Sequence, residues 1–230
     1  MDSSDWVASP GGWALDFDGT NDNINYGTEI KLGGVKQASF SAWVWRATQG
    51  DMITIGRYNT SLGGGNYRAD YFGPTEVTAA GQVVLFVGGT ASGNHLLFYS
   101  TEQMIAGQWN HVAGSVLVDG NSSTCALALN GKPCTVNTSH AGTRPTAFAD
   151  NNAVPWRSMA ITGGLGSIFY NSGQLGEIAV WNSQKTIVEL CSLHGLGNGA
   201  LGRFAIQGPP RHAYKQMANR RRRIICGAEC

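Results

Sequence analysis

The sequence predicts an all-β protein, an antiparallel β-sandwich followed by a short C-terminal helix and a basic tail. Residues 107–133 contain two runs with the side-chain alternation of β-strands, at Trp109–Val116 and Cys125–Asn130. The Asp119–Ser123 segment between the runs has turn chemistry, and Asn130-Gly131 is a strong hairpin signal. With 32 glycines and only 13% charged residues in a chain of 230, the composition suits turns and short strands better than helices.

The chain opens with a polar segment, residues 1–12, which predicts an arm or a first edge strand. Its first six residues are acidic and have no apolar run, which is not the pattern of a secretory signal. The Asp18–Asn23 segment that follows is rich in Asp and Asn. We interpret it as a turn in which these side chains bond their own backbone. A calcium site is the alternative, because oxygen ligands cluster there.

The remaining elements follow from the same kinds of pattern. Phe40–Arg46 has apolar side chains on both faces, which predicts a central strand. Arg57–Gly73 predicts a long loop rich in glycine and tyrosine, and Thr135–Trp156 predicts a second connection. Further strands are predicted at Met52–Gly56, Gln82–Val87, Leu96–Ser100, Met159–Thr162 and Gln174–Trp181, and a short helix at Thr186–His194.

Four stretches, taken in order, resemble one family. They are Ala14–Asp22 (ALDFDGTND), Phe40–Trp45 (FSAWVW), Gly107–Pro133 with W-x-H-V-A near its start and N-G-K-P at its end, and Gly173–Asn182 (GQLGEIAVWN). Together they are similar to the laminin-G-like group of the concanavalin A-like jelly-roll fold, the lectin and glucanase superfamily that includes the pentraxins. The resemblance implies one sandwich domain over residues 13–195, with an arm at 1–12 and a basic extension at 196–230.

The sequence departs from the pentraxins at two features that the resemblance would imply. Pentraxins join two central strands by a disulfide, and the matching positions here are Ser41 and Ala113, so we do not expect that bridge. The first pentraxin calcium position offers Asn59 and, further on, Asp70, while the second falls on the carboxylate-free segment 163–170. Because a hard divalent cation needs several oxygen ligands, no metal and no cofactor are expected.

The sequence contains no recognisable catalytic arrangement. The Glu-x-Asp-x-x-Glu strand motif of the glucanases, which places two carboxylates beside a glycosidic bond, is absent, and Glu177 stands alone. There is no Ser-His-Asp set, nucleophile elbow or phosphate loop. His111 belongs to a predicted strand, and we interpret it as a packed side chain. The chain is therefore predicted not to be an enzyme.

Side chains in the predicted loops are candidates for carbohydrate binding, because sugars stack on exposed rings and bond to amides. The candidates are Tyr58, Asn66, Tyr67, Tyr71 and Trp156. The alternative is that these aromatics only cover the edge of the core.

Five cysteines, at 125, 134, 191, 226 and 230, show no metal-binding spacing. We interpret them as free thiols of a protein made in a reducing cytosol. A link between Cys125 and Cys134 across the hairpin is the alternative.

The C-terminal segment differs in charge from the rest of the chain. Residues 1–203 carry 10 Lys+Arg and 14 Asp+Glu, whereas residues 204–230 carry 6 and 1, with an unbroken run of Arg220, Arg221, Arg222 and Arg223. Without interleaved aromatic residues this run is weak support for nucleic-acid binding. The favoured interpretation is docking on a protein shell, or self-association, and a solvated tail is the alternative.

These features favour a non-enzymatic display module. The hypothesis is a virion-associated surface protein, such as a phage head decoration or fibre protein, made in the host cytoplasm, with a lectin-like domain and an anchoring tail. Virions assemble in a reducing cytosol and then act outside the cell, which reconciles a lectin-like sandwich with free thiols. The alternative is a free-standing carbohydrate-binding protein that reaches the extracellular space by non-classical export and binds cell-surface glycans. No apolar run approaches the length of a membrane span.

Overall fold

The computed structural model describes residues 5–10, 12–59, 68–75, 78–91, 93–150, 154–162 and 168–195, which form two antiparallel seven-stranded sheets packed face to face. The first sheet contains, in spatial order, β1 (Trp6–Ser9), β2 (Gly12–Asp18), β16 (Ser172–Trp181), β4 (Gln37–Trp45), β9 (Trp109–Leu117), β10 (Thr124–Leu129) and β11 (Lys132–Pro133). The second sheet contains β12 (Val136–Ala141), β8 (His95–Gln103), β7 (Gln82–Gly88), β6 (Arg68–Thr75), β5 (Ile55–Asn59), β13 (Trp156–Ser158) and β3 (Ile24–Gly27). A two-stranded ribbon of β14 (Ala160–Thr162) and β15 (Ile168–Tyr170) and one helix, α1 (Ile187–Gly195), complete the described fold. This is the predicted β-sandwich with its short helix.

The hydrophobic core lies between the sheets and is filled by alternate residues of their strands. Phe40 of β4 points inward and stacks on Phe72 of β6, with ring centroids 5.6 Å apart. Gly114 of β9 makes room for this contact, because a Cβ there would lie 2.9 Å from Cε2 of Phe72. The opposite face of β4 is also covered, since Trp43 is 3% exposed. β4 lies between β16 and β9, so the prediction of a central strand is confirmed.

The stretch at residues 107–133 forms the three consecutive strands β9, β10 and β11. Asn130 and Gly131 connect the last two, with φ angles of 51° and 73°, as a two-residue type I′ turn requires. This confirms the hairpin prediction. In the neighbouring strand pair, Ser41 lies directly opposite Ala113, the register that the resemblance implied for the pentraxin disulfide positions.

The prediction of a loop over Arg57–Gly73 is wrong. β5 continues to Asn59 and β6 starts at Arg68, and the two strands pair with Arg57 opposite Asp70. Arg57 and Asp70 interrupt the alternation of apolar and polar residues that indicates a strand, because they occupy inward positions where apolar side chains are expected. They are buried as an ion pair, with Nε of Arg57 donating to Oδ2 of Asp70 at 2.8 Å. Residues 60–67 lie outside the described residues.

Two other expectations are corrected by strand pairing. The connection predicted over Thr135–Trp156 contains β12, an edge strand that pairs with β8. Its side chains at 138–140 are exposed, so it lacks an apolar signature. The strand predicted at Met52–Gly56 begins only at Ile55, because the preceding segment crosses β6, where the backbone N–H of Met52 donates to the carbonyl of Pro74 at 2.7 Å.

The first strand and the Asp18–Asn23 turn each match one of the alternatives predicted for them. β1 pairs with β2 at the edge of the first sheet, which is the edge-strand alternative for the opening segment. In the turn after β2, Oδ1 of Asp18 accepts hydrogen bonds from the backbone N–H groups of Thr20 and Asn21. The Asp18 carboxylate therefore organises its own turn, as predicted, and these N–H groups lower its pKa.

Helix α1 follows β16 and packs on the outer face of the first sheet. Thr186 and Glu189 form a reciprocal capping box, in which the Thr186 N–H donates to Oε2 of Glu189 and the Glu189 N–H donates to Oγ1 of Thr186. The predicted helix is thus confirmed, and its nine residues are too few to cross a membrane, as is true of every helix in the described ranges. The basic extension at 196–230, with Arg220–Arg223, lies outside the described residues.

Candidate functional site

Two of the predicted sugar-binding residues lie on one surface, the outer face of the second sheet. Alternate residues of a strand point to opposite sides, and Arg57 and Asp70 point into the core. Tyr58 of β5 and Tyr71 of β6 therefore point outward, and both are half-buried strand residues rather than loop residues. Asn66 and Tyr67, in the segment that connects these strands, lie outside the described residues.

The placement of Trp156 in a loop is wrong. It belongs to β13, its side chain is 1% exposed, and it packs in the core against Phe40. The Cζ atom of Arg57 lies 4.9 Å from the centre of its indole ring, and Nη2 of Arg57 donates to the carbonyl of Ala149 at 2.9 Å. Trp156 is thus sealed inside by a buried cation and cannot present a ring face at the surface.

The outer face of the second sheet carries a row of stacked rings that the sequence did not indicate. Tyr71 stacks on Phe86 of β7 with centroids 4.9 Å apart, and Phe86 stacks on His95 of β8, also at 4.9 Å. Both spacings match the roughly 4.8 Å between neighbouring strands. The register, with Tyr71 opposite Phe86, brings these rings together, and that register is not visible in any single stretch of sequence.

Gly56 of β5 adjoins the Tyr71 end of this row. Gly56 lies opposite Tyr71 on one side and opposite Arg157 of β13 on the other, so that two strand spacings, about 9.6 Å, separate the Tyr71 and Arg157 backbones. No side chain larger than hydrogen fits at Gly56, since a Cβ would lie 2.8 Å from Cβ of Tyr71 and 3.0 Å from Cγ2 of Ile53. Ile53 therefore packs over Gly56, beside Tyr71.

Arg157 brings a positive charge to this face. Among the described strand residues that point outward from the second sheet, Arg157 is the only Lys, Arg, Asp or Glu. Its Nη1 donates to Oδ1 of Asn23 at 2.9 Å, which orients the guanidinium, and its buried Nε has no hydrogen-bond partner among the described residues.

The rings of the row are neutral at physiological pH. Burial, with a contribution from the nearby charge of Asp51, raises the pKa of Tyr71 to about 12. Burial also lowers the pKa of His95, with His140 adding to the effect. The surface thus combines uncharged stacked rings with one cation at its side, an arrangement suited to a polar ligand with an apolar face.

Ser41 and His111 form a serine–histidine pair of the kind that can act as nucleophile and base. Ser41 Oγ and Nε2 of His111 share a 2.8 Å hydrogen bond, but the two residues are 5% and 2% exposed and lie beneath α1. No substrate can reach them in this arrangement. The interpretation of His111 as a packed, hydrogen-bonded side chain is confirmed.

Neither metal ligation nor a disulfide marks a site in the described ranges. No group of three or more His, Cys, Asp or Glu side chains there could share a metal ion. Cys125, Cys134 and Cys191 are free thiols, so the Cys125–Cys134 link is not formed. Burial, together with the proximity of Glu102 and Cys191, raises the pKa of Cys134 to about 12, which keeps this thiol protonated.

No protein-family model and no curated protein matches the sequence. Among solved structures, a heptameric SAP-like pentraxin from Limulus polyphemus is similar over 82% of this chain and 84% of its own, with 16% identity and a TM-score of 0.51. Domain 4 of AbnA, an arabinanase from Geobacillus stearothermophilus in complex with arabinotriose, is 16% identical over 82% of this chain and 80% of its own, with a TM-score of 0.54. The Ruminococcus gnavus IT-sialidase CBM40 bound to α2,3-sialyllactose is 15% identical over 79% and 98%, with a TM-score of 0.57.

These likenesses establish the fold. The chain is a concanavalin A-like jelly roll, the lectin-like architecture shared by pentraxins and carbohydrate-binding modules. The fold that the four sequence stretches predicted is thereby confirmed.

Proposed function

We propose that this protein is a non-enzymatic carbohydrate-binding module and that the outer face of the second sheet binds the sugar. The observation that carries the proposal is the row of stacked rings of Tyr71, Phe86 and His95 on this face, with Arg157 at its side. A pyranose or furanose ring offers C–H groups to aromatic rings and hydroxyls to polar neighbours, and this surface supplies both kinds of partner. Two proteins of the same fold are recorded with bound oligosaccharides, arabinotriose and sialyllactose, which supports the ligand class.

A glycan array tests the proposal with the full chain. We expect hits that are lost in Tyr71→Ala and weakened in Tyr58→Ala, because both rings lie on the proposed face. The predicted residues Asn66 and Tyr67 belong to the same experiment as Asn66→Ala and Tyr67→Ala. Trp181→Ala is the matched control, since Trp181 is a half-buried aromatic of the first sheet, in contact with Lys185, and its removal should leave binding unchanged.

The array also distinguishes neutral from acidic sugars. If Arg157 contacts the ligand, Arg157→Gln lowers binding of α2,3-sialyllactose and leaves binding of lactose or arabinotriose unaltered. A blank array with a protein that retains its cooperative unfolding transition would reject the proposed function.

We further propose that the module is displayed on a virion and anchored by residues 196–230, with Arg220–Arg223 as the docking group. Two observations support this. The described cysteines are free thiols, as in proteins assembled in a reducing cytosol. The appended segment is basic while the rest of the chain is slightly acidic, which suits docking on an acidic protein shell.

Particle co-purification tests the anchoring proposal separately from sugar binding. Deletion of residues 208–230, or replacement of Arg220–Arg223 by alanine, should abolish incorporation and leave the glycan array unchanged. Arg211→Ala with Lys215→Ala is the control for loss of charge elsewhere in the segment. Unchanged incorporation of the deletion variant would reject the anchor, and absence of the protein from any particle would leave a free-standing extracellular lectin as the better account.

A further inference from the structure

Helix α1 is held on the outer face of the first sheet by a small apolar contact. Leu190, the one fully buried side chain of the helix, packs on Ala113 of β9 and Ala128 of β10. Ile187 and Leu193 are partly buried against the same cluster. Because the apolar free energy scales with buried area, a contact with one fully buried side chain and a few partly buried ones holds the helix weakly.

The C-terminal end of α1 packs on a cluster of rings. The imidazole of His194 lies 5.2 Å from the ring of Trp43 and 5.8 Å from the imidazole of His111, centroid to centroid. The turn between β10 and β11 closes the contact, because a Cβ at Gly131 would lie 3.1 Å from both Cβ and Cγ of His194. Two imidazoles therefore meet edge to face across the contact between helix and sheet.

The buried imidazole of this pair cannot accept a proton without an uncompensated charge. Nε2 of His111 already bonds Ser41, and its Nδ1 has no hydrogen-bond partner among the described residues. Charging the ring would bury a second N–H and a full charge in an apolar contact. Burial, followed by the proximity of His194, lowers the pKa of His111 to about 4.

Few ionisable groups on the neighbouring elements could offset that charge. β4 contributes Ser41 and Trp43, the turn into β11 leads to Lys132, and β16 carries the exposed Glu177. On α1 itself, Cys191 is half-buried and Glu189 bonds the N-terminal Thr186 at the opposite end of the helix. Within the described ranges neither imidazole forms an ion pair.

We propose that α1 is a pH-sensitive latch, in which protonation of His111 releases the helix from the outer face of β9 and β10. Release brings both imidazoles into water and uncovers Trp43, Ala113 and Ala128. The sandwich stays folded, because its core lies on the other side of the first sheet.

Proton linkage gives the direction and size of the effect. His111 titrates near its ordinary value of 6.5 when the helix is released and at about 4 when it is docked. The docked state therefore binds fewer protons, so docking is strongest above pH 6.5 and weakens as the pH falls towards 4. From His111 alone, the ratio of released to docked helix should rise about 30-fold between pH 7.5 and pH 5.

Hydrogen exchange of the full chain at these two pH values, corrected for intrinsic exchange rates, tests the latch. The amides of 187–195 should lose protection by about 30-fold at pH 5, while those of β7 in the second sheet keep theirs. Unchanged protection of α1, or equal loss in α1 and β7, would overturn the proposal.

Two further measurements separate the latch from a general loss of stability. His111→Phe keeps a ring in place and should remove the pH response of α1, whereas His140→Gln, at an exposed histidine of β12, should preserve it. If His111→Phe does not fold, an NMR titration of the imidazoles in the unaltered protein decides. A His111 ring that titrates near 6.5 while α1 is docked would overturn the latch.

Discussion

The ring of Tyr71 lies parallel to the ring of Phe86, with the two planes 7° apart and the centroids separated by 4.9 Å. Because this distance equals the strand spacing, both rings stand upright on the sheet and each covers a face of the other. Phe86 is covered on its second face by His95. The three rings thus form one continuous row, which is the surface that we propose for sugar contact.

The stacking itself should be measurable by a double-mutant cycle. Tyr71→Ala, Phe86→Ala and the double variant are expected to show a coupling free energy of about 0.5–1.5 kcal/mol in urea unfolding, the usual worth of an aromatic pair. The control is a second cycle made from Tyr71→Ala and Tyr99→Ala. Tyr99 of β8 lies opposite Val84 and Asn137 and does not belong to the row. Equal coupling in both cycles would mean that the effect does not come from the stack.

The buried ion pair between Arg57 and Asp70 should matter far more than the surface pair between Lys36 and Asp119. Asp70→Asn leaves a buried guanidinium charge without its counterion, and we expect a loss of about 3–5 kcal/mol in the free energy of unfolding. Asp119→Asn breaks a 2.6 Å bridge whose side chains are 56% and 40% exposed, and should change it by less than about 1 kcal/mol. Chemical denaturation of both variants measures the two losses in unfolding free energy. A loss in Asp70→Asn as small as that in Asp119→Asn would show that the buried pair does not contribute this stability.

The sequence was sufficient where local chemistry decides the structure. Asn130-Gly131 specifies its turn by the φ angles that the two residues tolerate, the alternation in β9 and β10 specifies two strands, and the spacing of Ile187 and Leu190 specifies α1. Each of these signals lies within a few residues of chain. Four such stretches in order were enough to predict the fold.

The sequence was insufficient where a partner distant in the chain decides the structure. Arg57 and Asp70 look like loop residues until their strands are paired, and only that pairing neutralises them in the core. Trp156 looked exposed because its cover, Arg57, is almost one hundred positions away. Phe86 and Arg157 could not be joined to Tyr71 as a candidate site without the register of three strand pairs.

Gly73 of β6 should tolerate no side chain at all. A Cβ there would lie 2.6 Å from the backbone N of Thr54 and would collide with the carbonyl of Met52, since the segment before β5 crosses the strand at this point. Gly73→Ala should therefore destabilise the fold by more than about 3 kcal/mol. Gly34→Ala is the control, because Gly34 has a φ of 78° but open space around its Cβ position, and should cost about 1–2 kcal/mol.

The capping box of α1 provides a test of how firmly the helix is held. In Thr186→Ala, Glu189 loses the hydroxyl that donates to its Oε2 at 2.8 Å and that accepts from its backbone N–H. The loss should be about 1 kcal/mol, and because α1 rests on a small apolar contact it should appear as local opening of the helix. Cys191 is a half-buried thiol on α1. The rate at which a thiol reagent labels it, followed by mass spectrometry of its peptide, should then rise about 5-fold.

Ser192→Ala is the control, because it removes a hydroxyl of the same helix that only donates back to the carbonyl of Glu189. Since alanine is the better helix former, this variant should not accelerate labelling. Acceleration in Ser192→Ala, or none in Thr186→Ala, would show that the box does not control the docking of α1.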